Sequence, residues 1–376
     1  MTIETDFHAT SVFVELKRFS GLLFIGDPHI EGRTPGFRRD NYPETILAKL
    51  KWCLEYCEQQ ELQPIFLGDI FDKPRDNPNW LISRMLDLFE GRCIPTIFGN
   101  HDCANPHLDE NDSLTLLAKA GAIRLLDEKH LWACSFEGRT VVIGGSPYRY
   151  PIPETFSIES NRVQLSFSNP TMASEEQSIG WIKAISKPGL VIWLTHHDLT
   201  FPNLNEAVVT HLNELVGIDY VINGHIHRRA SADVVRGQTT WVNPGNIVRR
   251  SRSDSIRGHE PAVLRMDIAS DGQWMHYVRI PHQNAEEVFY DLESLGTDEA
   301  ETNQSSFVTG LAMLQSRKTQ SGAGLMQFLK ENVNQFEKEV AGEILRLADV
   351  VLSESNQPLS ESNQPLSESN QQSESI

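Results

Sequence analysis

Five short motifs carry the residues able to do chemistry: Asp27-Pro28-His29, Gly68-Asp69-Ile70-Phe71-Asp72, Gly99-Asn100-His101-Asp102, His196-His197 and Gly224-His225-Ile226-His227. Each follows an apolar run that reads as a strand, so each group would emerge at a carboxyl-terminal strand end, where open α/β folds place ligands. Alone, an aspartate after a strand reads as a turn or helix cap, and a lone histidine as a surface or satisfied core residue. Five such motifs in succession, all offering oxygen or imidazole, point instead to a site for two metal ions.

Two divalent cations held about 4 Å apart need a ligand that bridges them, and a carboxylate can do so while lowering their mutual repulsion. Asp69 is the expected bridge. Asp27, His29 and His227 would complete one shell; Asn100, His196 and His225 the other. Mixed carboxylate, amide and imidazole ligation suits manganese first, with iron or zinc as alternatives. Water between two such cations is acidified enough to attack phosphorus. A leaving alkoxide then needs a proton, expected from His101, with Asp72 orienting its ring. His197 is the alternative to His196 as ligand.

The elements that position these groups alternate in type. Strands are expected at Ser11–Leu16, Leu22–Gly26, Ile65–Leu67, Ile94–Phe98, Thr140–Gly144, Leu190–Leu194, Asp219–Ile222 and Thr239–Val242. Helices are expected over Glu44–Gln59, from Asn79 to Gly91, near Ser113–Ala120, after the capping box at Ser174, and after Asn205 with Val208, Leu212 and Leu215 buried. Phe156–Pro170 lacks a period and reads as a surface excursion. Three strand-loop-helix units in succession imply a largely parallel sheet with helices packed on it.

The 376 residues hold 22% charged and 39% hydrophobic residues, the balance of a globular protein. No run of eighteen apolar residues and no basic-then-apolar N-terminal segment is present, so no membrane span or signal peptide is expected, and the cytoplasm is the expected compartment. Five scattered cysteines argue against a disulfide framework; Cys53 and Cys57 read as reduced thiols. A net charge of −18 disfavours a protein that coats nucleic acid through overall electrostatics. Between His225 and Arg257, however, seven arginines face only Asp233 and Asp254. That segment, with Arg228, Arg249 and Arg250, could meet phosphate or could be a solvated loop.

The expected organisation is a catalytic domain over residues 1–258, then a small accessory domain over 259–295 built on a β-hairpin at Asp271-Gly272. A helical region over 307–352 follows. Within it, Leu325, Leu329, Val333, Phe336, Val340, Ile344, Leu347 and Val351 form one apolar stripe, about 40 Å long, that must be covered by the chain itself or by a partner helix. Residues 353–376 repeat Ser-Glu-Ser-Asn-Gln-Pro-Leu, with too few apolar residues to fold.

The Asp-x-His, Gly-Asp-x-x-Asp, Gly-Asn-His-Asp, strand-end His and Gly-His-x-His set resembles the calcineurin-like metallophosphoesterases over about Leu22–Asn246. The resemblance implies an α/β fold, an αββα sandwich of two mixed sheets flanked by helices. It carries the same metal roles and favours His196 over His197. Gly68-Asp69-Ile70-Phe71-Asp72, Gly144-Gly145-Ser146-Pro147-Tyr148 and Asn243-Pro244-Gly245-Asn246 look most like the nuclease subunit of the bacterial SbcCD complex and its archaeal and phage relatives. That likeness implies a two-metal DNA nuclease with a small capping domain, and C-terminal helices that dock on an SbcC-like coiled-coil ATPase; a homodimer is compatible with it. In this chain Pro28 stands where those proteins carry Trp, and Asn246 where they carry Ser. An esterase for nucleotides or phosphoproteins, and a scaffold without chemistry, are the competing readings.

Overall fold

The computed structural model describes residues 11–15, 18–35, 38–159, 162–167, 188–202, 204, 210–249, 258–290 and 346. The chain divides into two units, Met1–Asp291 and Leu292–Ile376. The first is built on two mixed sheets. One has seven strands in the order β1-β6-β7-β10-β11-β13-β12, the other six in the order β15-β14-β2-β3-β4-β5.

In the six-stranded sheet, β2 (Gly21–Ile25), β3 (Leu62–Phe66), β4 (Ile94–Thr96) and β5 (Ile123–Leu125) run parallel. The crossovers are α1 (Tyr42–Gln59), α2 (Asn79–Leu88) and α3 (Ser113–Lys119). Alternation along the strands builds two cores at once. Leu23, Ile25, Leu62 and Phe66 pack with Ile46, Leu50, Leu54, Leu81, Met85 and Leu117 of the helices. Leu22, Phe24 and Ile65 point the other way, against Trp132, Ile143, Ile192, Leu194 and Ile222 of the facing sheet.

The seven-stranded sheet holds β1 (Ser11–Glu15), β6 (His130–Phe136), β7 (Arg139–Ser146), β10 (Leu190–Thr195), β11 (Tyr220–Asn223), β12 (Val234–Arg236) and β13 (Thr239–Val242). Its outer face, with Val191, Trp193, Val221 and Trp241, is covered by Phe156 and Val163 and by Leu199, Phe201, Leu212 and Leu215. Phe156 and Val163 belong to a hairpin of β8 (Thr155–Glu159) and β9 (Arg162–Ser166), where the sequence suggested an irregular excursion. The expected two-sheet α/β sandwich is thus observed.

Several local expectations change. Asn79 is the first helical residue of α2, and the cap is Pro78, whose ψ of 143° is extended. Thr210–Leu215 is not helical. Thr200 N–H donates to the Thr210 carbonyl at 3.1 Å, and the segment buries Leu212 and Leu215 in open chain. The hairpin of β14 (Ala262–Ala269) and β15 (Gly272–Arg279) turns on Ser270-Asp271, one residue before the expected Asp-Gly, and Gly272 stays outside the left-handed region. β14 pairs antiparallel with β2, from Leu264 opposite Phe24 to Asp267 opposite Gly21, so the hairpin extends the six-stranded sheet. A short α4 (Ala285–Val288) follows, with a capping box between Asn284 and Glu287. The helix after Ser174, the apolar stripe of 325–351 and the repeat tail lie outside the described residues.

Candidate metal centre

The parallel strands β2, β3 and β4 of one sheet and β10 and β11 of the other end at the same rim, and each is followed by one of the five motifs. Hydrogen bonds stitch the two edges together. His196 Nδ1 lies 2.8 Å from the Leu67 carbonyl, and His225 N–H donates to Asp27 Oδ1 at 2.9 Å.

Three groups of ligand atoms converge there, in each of which all atoms lie within 4.8 Å of one another: Asp27, His29, Asp69 and His227; Asp69, His196 and His225; and His29, Asp72 and His101. Asp69 is common to the first two. Asn100 joins the second set, its Oδ1 2.9 Å from His225 Nδ1. In the first set, Nε2 of His29 and Nε2 of His227 are 2.8 Å apart.

The residues fit divalent cations on two observations. Asp27 Oδ2, Asp69 Oδ2 and His196 Nε2 are buried without a hydrogen-bond partner, a costly state unless something else satisfies them. The histidine tautomers are also set by second partners. His196 Nδ1 donates to a carbonyl, which turns Nε2 toward Asp69 Oδ2 at 3.2 Å. His225 has Asp198 Oδ1 at 3.1 Å from Nε2, which leaves Nδ1 toward Asn100.

The electrostatics express crowding of buried charge. Burial, with the negative charge of Asp69 adding to it, pushes both Asp27 and Asp102 up to about 7. Burial acts the same way on Asp69, but the adjoining His196 outweighs it and holds that carboxyl well below its usual range. His196 is raised in turn, Asp69 overcoming the effect of burial.

Close approach explains three of the motif glycines. A Cβ on Gly99 would stand 2.1 Å from Asp69 Oδ1, and one on Gly68 or Gly224 would stand 2.6 or 2.8 Å from His196 Nδ1. No side chain fits between these ligands.

Every expected ligand is brought to this rim, and geometry separates His196 from His197. The His197 ring turns away, Nε2 2.9 Å from the Tyr150 carbonyl, and burial holds it down at about 4. His101 lies beside the first set, its ring edge-on to His29 with centroids 4.8 Å apart. Its Nδ1 meets Asp72 at 2.8 Å through the main-chain carbonyl, whereas the carboxylate expected to make that contact lies 3.7 Å from His29 Nδ1. Arg249 also departs from expectation. Its guanidinium is buried and donates to the carbonyls of His259 and Gln283, which withdraws it from any phosphate-binding surface. Arg228 is exposed, and Arg250 lies outside the described residues.

Two contributors were not singled out from sequence. Asp102, fully buried, accepts from Gly99 N–H and Phe71 N–H at 3.0 Å each and so ties the Asp69 and Asn100 loops together. Its signal was its place in Gly-Asn-His-Asp. Asp198, the partner of His225, was signalled only by following His196 by two. Among the described residues the five cysteines are free and none joins a ligand set, and no helix is long and apolar enough to cross a membrane.

A family profile for calcineurin-like phosphoesterases matches residues 21–229. No curated protein matches the chain. Similar solved structures include a predicted phosphoesterase from Streptococcus pneumoniae, 11% identical, covering 69% of this chain and 89% of that one, with a TM-score of 0.29. Vacuolar protein sorting 29 of Cryptosporidium parvum is 10% identical over 69% of this chain and 97% of that one, TM-score 0.26. The sulfate thiohydrolase SoxB of Thermus thermophilus, in complex with glycerol, is 12% identical over 74% of this chain, TM-score 0.32, and the match spans only 58% of its length.

Proposed function

The chain belongs to the calcineurin-like phosphoesterases, and from that membership we propose that it hydrolyses phosphodiester bonds in nucleic acid, DNA foremost, as a two-metal nuclease. The observation that carries the reading is the single carboxylate of Asp69 shared by two converging ligand sets, with His101 beside them. Asp27, His29, Asp69 and His227 would hold one cation, and Asp69, Asn100, His196 and His225 the other; the mixed donor set favours Mn²⁺. When bound, such a pair supplies a Lewis acid for the phosphoryl oxygen and lowers the pKa of an attacking water.

The chain's own residues do the rest. Burial of Asp27, His29, Asp69 and His196 keeps bulk water from competing for the ligand atoms. Asp102 fixes the spacing between the Asp69 and Asn100 loops. The Asp72 carbonyl holds His101 Nδ1–H, which leaves Nε2 to carry the proton a departing alkoxide requires. Preference for DNA rests on the likeness of the Gly68–Asp72, Gly144–Tyr148 and Asn243–Asn246 segments to the SbcCD nuclease subunit. On the same likeness, the apolar stripe from Leu325 to Val351 would dock a coiled-coil ATPase.

The test is digestion of labelled single- and double-stranded DNA with Mn²⁺, comparing wild type with Asp69→Asn and His101→Gln. Asp69→Asn should lose cleavage and metal together. His101→Gln should keep two metals per chain and lose about 10²- to 10⁴-fold in rate. Nucleotide monoesters cleaved far better than either DNA would sink the nuclease reading.

A further inference from the structure

A cavity of about 570 Å³ opens between the loop that follows His29 and the first turns of α1 and α2. Gly32, Thr34, Arg39 and Asn41 line it together with Trp80. Its wall continues the segment that delivers His29 to the metal centre. Tyr42, from the first turn of α1, donates its hydroxyl to the His29 carbonyl at 2.9 Å and its N–H to Thr34 Oγ1 at 3.1 Å. A Cβ on Gly32 would stand 2.4 Å from the Pro78 ring, so this loop closes directly on the cap of α2, two residues before Trp80. The cavity is therefore fixed relative to the ligand sets by packed backbone.

A singly exposed tryptophan needs no explanation by itself. Trp80, however, is 43% exposed on the wall of this open concavity, which also holds the cation Arg39. The two carboxylates there are occupied. Asp40 takes two hydrogen bonds from Arg38 and one from Thr45, and Glu44 pairs with Arg84. Among the described residues no carboxylate pairs with Arg39, whose guanidinium sits 5.9 Å over the Tyr290 ring. In a chain of net charge −18, an arginine without a carboxylate partner among the described residues and an accessible indole on one cavity wall are a specific combination. An aromatic face stacks on any base, and a cation beside it meets the phosphate that carries the base.

We propose that this cavity binds an unpaired nucleobase, stacked on Trp80 with its phosphate against Arg39, and so presents the strand to the metal centre. The assignment builds on the phosphodiesterase reading, and it is measured without turnover so that the two can fail separately. The probe is a hexadeoxynucleotide containing 2-aminopurine, titrated into the full-length protein in EDTA and followed by fluorescence quenching. Trp80→Ala should weaken binding about ten-fold or more, Trp80→Phe should restore most of it, and Arg39→Gln should lower the slope of log K against log salt by about one. A hexamer with abasic sites should bind as weakly to wild type as the normal hexamer does to Trp80→Ala. Titration of 2-aminopurine nucleoside monophosphate distinguishes the source. Binding with the same Trp80 dependence assigns a free nucleotide, and binding of the hexamer alone assigns a strand. Equal affinity of wild type and Trp80→Ala for the hexamer would overturn the proposal, whatever the activity. Loss of the phosphodiesterase reading would show instead as absence of turnover of bis-p-nitrophenyl phosphate by the metal-loaded wild type.

Discussion

The tightest point of the metal centre is Gly99, and a single methyl group placed there tests the whole arrangement. In Gly99→Ala the new Cβ would lie 2.1 Å from Asp69 Oδ1, 2.7 Å from Asp69 Cγ and 2.6 Å from His196 Nε2. A carbon and an oxygen in contact need more than 3 Å, so the carboxylate must retreat by about 1 Å. It has little room to do so, because Oδ1 accepts the His101 N–H at 2.8 Å and the His196 ring is held by the Leu67 carbonyl at 2.8 Å. A displacement of about 1 Å at a reacting centre costs roughly 10²-fold in rate, and moving a ligand or its supports costs 10- to 100-fold in metal affinity. Because Asp69 belongs to both ligand sets, both affinities should fall together. The assay is metal content per chain by calorimetric titration with Mn²⁺, beside turnover of bis-p-nitrophenyl phosphate and a thermal melt. Overpacking of this kind costs about 1–3 kcal/mol, so the protein should remain folded. Gly272→Ala is the control, since its Cβ meets only the Trp274 ring at 3.5 Å. Two metals per Gly99→Ala chain at wild-type affinity would refute the reasoning, for then the carboxylate that the methyl displaces is not a ligand.

Three further outcomes follow from contacts in and around the site. Asp72→Asn should leave the pH profile of turnover unchanged, because His101 is held by the residue-72 carbonyl, and should weaken metal binding at the His29 set through the lost carboxylate; a shifted acidic limb in that profile would contradict it. Asp198→Ala removes the acceptor that fixes the His225 tautomer, so one of two Mn²⁺ sites should weaken about 10- to 100-fold while the other holds, as read by calorimetry. Burial, aided by Arg249 and Lys49, holds His259 down at about 4 while Nε2 meets the Asn246 carbonyl at 2.8 Å. Between pH 6.5 and about 4 the unfolded chain therefore takes up a proton that the native one refuses. Stability is lost as pH falls through that window, by about 3 kcal/mol at ~1.4 kcal/mol per pH unit. His259→Gln, which can still donate to that carbonyl, should flatten the difference between melts at pH 7.5 and 4.5.

How much of this was legible in the sequence depended on whether the signal was local. The apolar runs ending in Ile25, Phe66, Thr195 and Asn223 carry their strand character within four to six residues, and each is followed closely by its ligands. Their motifs can therefore be assigned to carboxyl-terminal strand ends from sequence alone. Signals that depended on a distant partner were missed. The hairpin of β14 and β15 reads as a separate element until Leu264 is seen opposite Phe24. Arg249 reads as a surface cation because nothing in its neighbourhood announces the carbonyls of His259 and Gln283 that bury it. The part Asp72 plays through its carbonyl could not be read from a residue type, since every residue has one.

The backbone supplies what the motifs alone could not. Asp27, His29, Asp69 and His225 take φ of 39°, 44°, 48° and 69°, in the left-handed region that residues with a Cβ seldom adopt. Each such conformation costs of order 1–3 kcal/mol and persists only where surrounding structure over-determines it. Here the surroundings are identifiable. Asp69 O accepts the His29 N–H at 2.9 Å, Ile70 O accepts that of Ile30 at 2.9 Å, and Asp27 Oδ1 accepts that of His225. The strained residues thus hold one another, loop against loop across the sheet edges, and among the described residues four of the eight non-glycine positions with positive φ offer ligand atoms. A scaffold without chemistry would gain nothing from keeping four side chains in this state around partnerless buried oxygens. A site in which ligands must converge before any cation arrives has reason to, because the cost of ordering them is then met in folding and not in binding.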